Sequence, residues 1–167
     1  AEDLASDVQK ITGRRPEVIA GGQAPAGACV VIGTKPGGAW ESYRAEVRGG
    51  RLVIEGGDAR GTMFGVYAFI ERCLKVDPLY FWSGREPARR AELRWDSVAL
   101  ESGSPSFKFR GWFINDEDLL TEWKESAGER HIEYQFDNQV VNRDVMRAVV
   151  ESTVRSRVNL LSRARCS

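Results

Sequence analysis

The stretch Leu52-Val53-Ile54-Glu55-Gly56-Gly57-Asp58-Ala59-Arg60-Gly61-Thr62-Met63-Phe64-Gly65-Val66-Tyr67 changes its hydrophobic period midway, and that change decides how the first half of the chain folds. Tyr43 to Val47 and Leu52 to Ile54 alternate around Gly49-Gly50, the pattern of a hairpin with a glycine turn. Past Gly56-Gly57, Asp58 is a good helix N-cap. Met63, Val66, Tyr67, Ile70 and Leu74 then recur at i, i+3, i+4, i+7 and i+11, the apolar face of a central packing helix. Burying such side chains is worth on the order of 2 kcal/mol each, enough to organise a domain around this helix. Gly61 and Gly65, four apart, let its backbone approach a sheet. Helix N-termini attract anions, but the turn lacks both the Gly-Lys-Ser/Thr ending and the G-x-G-x-x-G spacing, so close packing is the expected reason for the glycines.

Working outward, Leu4, Val8 and Ile11 share one face and Gly13 follows them, predicting a helix over 2–12. The run 28–32 reads as a buried strand. Asp77-Pro78-Leu79-Tyr80-Phe81-Trp82 reads as an aromatic strand or edge followed by a loop, a cluster that either caps a core or stacks on sugar rings. Leu93, Trp95, Ser97 and Ala99 alternate with polar neighbours and predict a strand ending in the linker Glu101-Ser102-Gly103-Ser104-Pro105-Ser106. A domain boundary is expected there.

Beyond it, Phe107 to Ile114 is strand-like and ends abruptly in Asn115-Asp116-Glu117-Asp118. Residues 119–141 read as a long loop with a helical piece around Leu119 to Glu125. Asn142 then caps a helix whose apolar stripe is Val145, Met146, Val149, Val150, Val154 and Val158. Leu160-Leu161 opens a further strand that is expected to stop at once in Ser162-Arg163-Ala164-Arg165-Cys166-Ser167. Such an arginine-rich end is what a disordered basic terminus or a shifted reading frame in GC-rich DNA gives.

Composition narrows the function. The 167 residues carry 24 Lys+Arg against 24 Asp+Glu, a net charge of zero, which argues against a general nucleic-acid binder. The local excess of six basic over two acidic residues in 138–167, including Arg143, Arg147, Arg155, Arg157, Arg163 and Arg165, reads mainly as a solvated helix face. No apolar run approaches the roughly 20 residues of a membrane span. The acidic opening, Ala1-Glu2-Asp3, is unlike a positively charged secretory leader. Cys29, Cys73 and Cys166 are odd in number and far apart, so neither a disulfide framework nor a zinc site is expected, and the single His131 reads as a loop residue rather than a ligand. No metal and no cofactor are expected.

A strand ending in carboxylates, a long loop, a helix and the opening of another strand make one βα unit. In barrels of such units the chemistry collects at the carboxyl ends of the strands. Taken alone, the acidic tetrad reads rather as a solvated turn capping the next helix than as a site.

Trp40-Glu41-Ser42-Tyr43, the 52–67 stretch and Phe109-Arg110-Gly111-Trp112-Phe113-Ile114-Asn115-Asp116-Glu117 resemble, in order and spacing, the amino-terminal part of glycoside hydrolase family 115, the xylan α-1,2-glucuronidases. The glycine-rich segment is also similar to the accessory domain that precedes the barrel in family 67 glucuronidases and in hexosaminidases. The resemblance implies an α/β fold: an α+β accessory domain with a mixed sheet packed by helices (1–100), a linker (101–106), and the first strand, loop and helix of a truncated TIM, or (β/α)8, barrel (107–167). It implies a polysaccharide or oligosaccharide substrate such as glucuronoxylan, and a secreted or periplasmic parent. It places Asn115, Asp116 and Glu117 at the substrate, with Asp116 and Glu117 as candidate catalytic carboxylates.

Glycoside hydrolysis ordinarily uses two carboxyl groups about 5–10 Å apart on a rigid frame. One barrel strand does not supply that frame, so the chain reads as an inactive fragment of a hydrolase. The alternative is a self-standing carbohydrate-binding or assembly module whose Trp40, Tyr80, Phe81, Trp82 and Trp112 stack on sugars. An orphan βα unit also exposes an apolar helix face and a strand edge, so a homo-oligomer or aggregate is expected.

Overall fold

Helix α1 (Glu2–Thr12) takes the expected span, buries Leu4, Ala5, Asp7 and Ile11, and stops at Gly13, whose φ of 77° suits glycine and whose N–H donates to the Gln9 carbonyl at 2.8 Å. The computed structural model describes residues 1–114 and 143–163. The chain divides into two units, one of Ala1–Asp77 with Glu86–Ser106, the other of Pro78–Arg85 with Phe107–Ser167.

In the first unit, β1 (Val30–Thr34) lies slightly later than the expected 28–32 and is not the buried strand expected there: it is at the sheet edge, with Val30 exposed and Val31 and Ile32 half-buried. β2 (Tyr43–Arg48) and β3 (Arg51–Gly56) form the expected hairpin. Gly49 and Gly50 both have positive φ, 58° and 74°, as a tight two-residue turn matching the strand twist requires. β1 runs parallel to β3, with Ile32 opposite Ile54, while β2 is antiparallel to β3, with Ala45 opposite Ile54. β4 (Ala99–Ser102) pairs antiparallel to β2, giving a mixed sheet in the order β1-β3-β2-β4. Alternation buries Leu52 and Ile54 of β3 and Tyr43 and Ala45 of β2 on one face. Against it packs α2 (Ala59–Phe69), with Phe64 and Ala68 clustered on Tyr43. A single π turn (Ile70–Leu74) prolongs α2 and ends at Lys75, whose φ is 65°. The strand expected from Leu93 to Ala99 is displaced: residues 93–98 are not in a strand, and Trp95 packs edge-to-face on Phe69 with ring centroids 5.1 Å apart. β4 continues through Glu101 and Ser102, expected to be linker, because they pair with Arg44 and Tyr43 of β2.

The start of α2 is set by Asp58, which accepts the Gly61 N–H at 2.6 Å as N-cap and, through its other oxygen, the Glu41 N–H at 3.0 Å. Glu41 is 1% exposed, and its carboxylate meets the Arg60 guanidinium at 3.2 Å. The Gly57 N–H donates to the Ser42 carbonyl at 2.8 Å. The turn Trp40-Glu41-Ser42 is thus laced onto the end of α2. Space for this is made by glycine: a Cβ on Gly61 would lie 2.2 Å from the Ser42 carbonyl oxygen, and one on Gly56 would lie 1.9 Å from the Thr62 nitrogen. Burial pushes the Asp58 carboxyl up, but the Gly61 and Glu41 amides and the Arg60 charge outweigh it and hold the pKa below the usual value.

In the second unit, Pro78–Arg85 holds a helical turn, α3 (Tyr80–Ser83), where a strand or edge was expected. Gly84, φ 64°, closes it by donating to the Tyr80 carbonyl at 3.0 Å. β5 (Gly111–Ile114) is shorter than the expected 107–114. Helix α4 (Arg143–Arg155) follows, and β6 (Leu160–Arg163) pairs parallel with β5. The second strand, expected to stop at Leu161, therefore continues through Ser162 and Arg163. The buried face of α4 is rotated from the expected stripe: Val145 and Val149 are inside with Ala148, Ser152, Thr153 and Arg155, whereas Val150 is 46% exposed. Polar groups enter this interior because they are partnered. The Trp82 indole N–H donates to Ser152 Oγ at 2.7 Å, and Arg155 pairs with Glu151 at 2.8 Å while lying 5.3 Å from the Tyr80 ring centroid.

Gly61→Ala is expected to lower stability by about 1–3 kcal/mol through backbone overlap, whereas Gly103→Ala, where a Cβ meets only open space, stays within about 0.5 kcal/mol. Urea midpoints of the two variants test this. Because the folded-state pKa of Asp58 is depressed, its stabilisation is full above the unfolded-state value of about 4 and disappears as pH falls through the folded value. Asp58→Asn keeps a capping oxygen but cannot titrate, so its urea midpoint falls less than the wild type's between about pH 5 and pH 2.

Candidate functional site

In a strand–helix–strand unit with parallel strands, the segments that follow the strands gather at one end, and ligands meet the fold there. β5 and β6 pair with Gly111 opposite Leu160 and Ile114 opposite Arg163, so the two strands finish at the same level. Trp112, Ile114 and Leu161 are half-buried on one face, and Phe113, 66% exposed, shares the other with Leu160 and Ser162. The candidate residues Asn115, Asp116 and Glu117 follow Ile114 directly in the sequence and lie outside the described residues. His131, the helical piece around Leu119 to Glu125 and the capping Asn142 lie outside them as well.

In the glycine-rich turn before α2 the Gly61 N–H donates to the Asp58 carboxylate and the Gly57 N–H to the Ser42 carbonyl, so these two donors are engaged by the fold and not by an anion. A shallow cleft of about 220 Å³ in the first unit is lined by residues including Asp3, Ile32, Thr62, Met63 and Tyr67. Its polar groups serve the fold. The Tyr67 hydroxyl donates to the Asp3 carboxylate, and the Thr62 hydroxyl meets the Gly33 and Asp58 carbonyls at 3.1 and 2.9 Å. Burial raises the pKa of the half-buried Cys73 thiol despite nearby Lys75 and Arg72, which leaves it a poor nucleophile at neutral pH. Among the described residues, no group of three His, Cys, Asp or Glu side chains is placed to hold a metal ion.

The aromatic residues expected to stack on sugars are mostly engaged internally. Tyr80 is 4% exposed, stacks on Phe81 with centroids 4.0 Å apart, and carries Arg155 over its ring. Trp82 is tied to Ser152, and Trp112 is half-buried; Trp40 alone of the five is classed as exposed, at 38%. Ser152, i+7 from Val145, and Arg155, i+7 from Ala148, fall on the inward face by helical period; their polarity is what kept them out of the expected apolar stripe. Periodicity did not reveal the contacts of Arg110 with Arg157 and Asn159, although Arg110 sits in one of the three recognised segments.

Residues 102–167 match the sequence profile of Glycosyl hydrolase family 115. No match was found among curated proteins. The chain is similar in structure to a solved protein described as "A novel family GH115 4-O-Methyl-alpha-glucuronidase, BtGH115A, with specificity for decorated arabinogalactans", with a TM-score of 0.75 and 23% sequence identity over 96% of this chain. It spans 22% of that protein's length. No helix among the described residues is long and apolar enough to cross a membrane. Residues 102–167 thus carry the family 115 profile, and the chain as a whole shares the fold of the corresponding part of that solved protein.

Proposed function

We propose that the chain is the amino-terminal part of a hydrolase that removes glucuronic acid or its 4-O-methyl ether from polysaccharide side chains. The observation that carries this reading is the family 115 profile over 102–167, the segment in which β5 runs in sequence into Asn115-Asp116-Glu117 and returns through α4 to a parallel strand. Residues 1–100 act as an accessory α/β domain like the one preceding the barrel in family 67 glucuronidases and hexosaminidases. The stretch expected as linker, 101–106, starts inside β4, so residues 103–106 link this domain to the opening of a (β/α)8 barrel, which begins with β5, α4 and β6.

Asp116 and Glu117 are the candidate catalytic carboxylates. A carboxylate at the end of a barrel strand can take or give a proton or position the attacking water, and Asn115 can orient sugar hydroxyls by hydrogen bonding. Cleavage needs a partner carboxyl about 5–10 Å away across the glycosidic bond. One strand–helix–strand unit offers no second strand end rich in acids: β6 finishes in Leu160-Leu161-Ser162-Arg163. The isolated chain is therefore inactive, and the activity belongs to a version extended through the whole barrel. The substrate is a uronic-acid-decorated plant polysaccharide. The resemblance favours glucuronoxylan, and the solved relative's title favours decorated arabinogalactan.

Incubating each polymer with the chain alone is expected to release no glucuronic acid or 4-O-methyl ether, while the extended version releases one of them from at least one polymer. Release by the chain alone, or none by the extended version, overturns the assignment. In the extended version, whichever of Asp116→Asn and Glu117→Gln removes the acid–base group lowers kcat/KM by about 100-fold or more. Steady-state kinetics unchanged in both variants would remove these residues from the site.

A further inference from the structure

We infer that Arg110 and Asn159 form a register clamp that positions the carboxyl ends of β5 and β6 by locking their amino ends. The Arg110 N–H donates to Asn159 Oδ1 at 2.9 Å, and the Arg110 carbonyl accepts the N–H groups of Asn159 and Leu160 at 2.9 and 3.1 Å. Asn159 Nδ2 donates to the Lys108 carbonyl at 2.8 Å. The Arg110 guanidinium reaches in two directions, to the Arg157 carbonyl at 3.1 Å through Nη2 and to the Phe107 carbonyl at 2.8 Å through Nη1. Arg157 has a φ of 57°, a left-handed conformation unusual for a residue with a side chain, and its carbonyl is the one the guanidinium captures. Charge-assisted bonds of this kind are stronger than neutral ones and more exacting in geometry.

The clamp matters because burial alone does not choose the register. Parallel sheets are normally covered on both faces, yet here the face carrying Phe113, Leu160 and Ser162 is exposed, at 66% for Phe113 and 47% for Leu160. A slip by one residue would invert the faces. A slip by two would preserve the alternation, so burial opposes it only weakly. In the observed register Gly111 faces Leu160, where a Cβ would come within 3.1 Å of the leucine side chain; a two-residue slip would bring Phe113 opposite Leu160 instead. The hydrogen bonds of Arg110 and Asn159 can be satisfied together in one alignment only. This inference goes beyond the proposed hydrolase activity, and its test uses no sugar, so either can fail without the other.

Disulfide trapping reads the register directly. In a background with Cys29, Cys73 and Cys166 replaced by serine, Phe113→Cys with Ser162→Cys samples the observed alignment, and Phe113→Cys with Leu160→Cys samples the slipped one. With the clamp intact the first pair oxidises and the second does not. Adding Arg110→Ala or Asn159→Ala removes that preference while the helical circular dichroism signal is retained. Arg110→Lys, whose single head group cannot span both carbonyls, also loses it, whereas Asn159→Asp, which keeps the acceptor for the Arg110 N–H, restores part of it. A preference unchanged in the alanine variants overturns the clamp. So does a preference lost only together with the helical signal in the alanine and lysine variants alike, because that reports general stability and not alignment.

Discussion

The backbone of α2 lies almost on top of the β2–β3 hairpin, and the first unit depends on that contact. Gly56, Gly61 and Gly65 make it geometrically allowed, since a methyl group at the first two would overlap backbone atoms and at the third would press on Tyr43 and Ile54. Asp58 then makes it specific: one carboxylate caps α2 and holds the Glu41 amide, so the strand end, the turn before β2 and the helix start share one anchor. Two of the segments that resemble family 115 meet here, in an arrangement whose polar groups are spent on each other. Their role is architectural.

The second unit solves a different problem. Its helix brings serine, threonine and arginine into the interior, which would be costly without partners. The aromatic turn α3 supplies them, with an indole N–H for Ser152 and a ring face for Arg155. That arrangement removes Tyr80 and Trp82 from any sugar-stacking surface. The two ends of the strand pair divide the labour, with structural hydrogen bonds at the amino ends and, in the proposed function, carboxylates just past the carboxyl end of β5.

Much of this was legible in the sequence. The span of α1, the β2–β3 hairpin, the Asp58 cap and the close-packing role of Gly61 and Gly65 follow from period, turn residues and the absence of a phosphate motif. Those features are local, and each is set by residues within a few positions of one another. The expected strand at 77–82 became a helical turn, and the strand expected from Leu93 begins only at Ala99, with Tyr80, Trp82 and Trp95 held by distant arginine, serine and aromatic partners. Short aromatic runs have strand propensity, but tertiary contacts override it.

By itself the sequence determined the helix–hairpin–helix plan of the first unit and the placement of an acidic group directly after a strand, since periodicity and chain order are local properties that no distant contact can alter. Only the tertiary structure decided how β1 and β4 join the hairpin and in what direction, that Leu160–Arg163 joins β5 in parallel, and which side of α4 faces inward. Strand pairing joins residues some fifty positions apart, and the inward face of a helix carrying polar residues is chosen by the partners able to satisfy them. Neither is encoded in the pattern of any one segment.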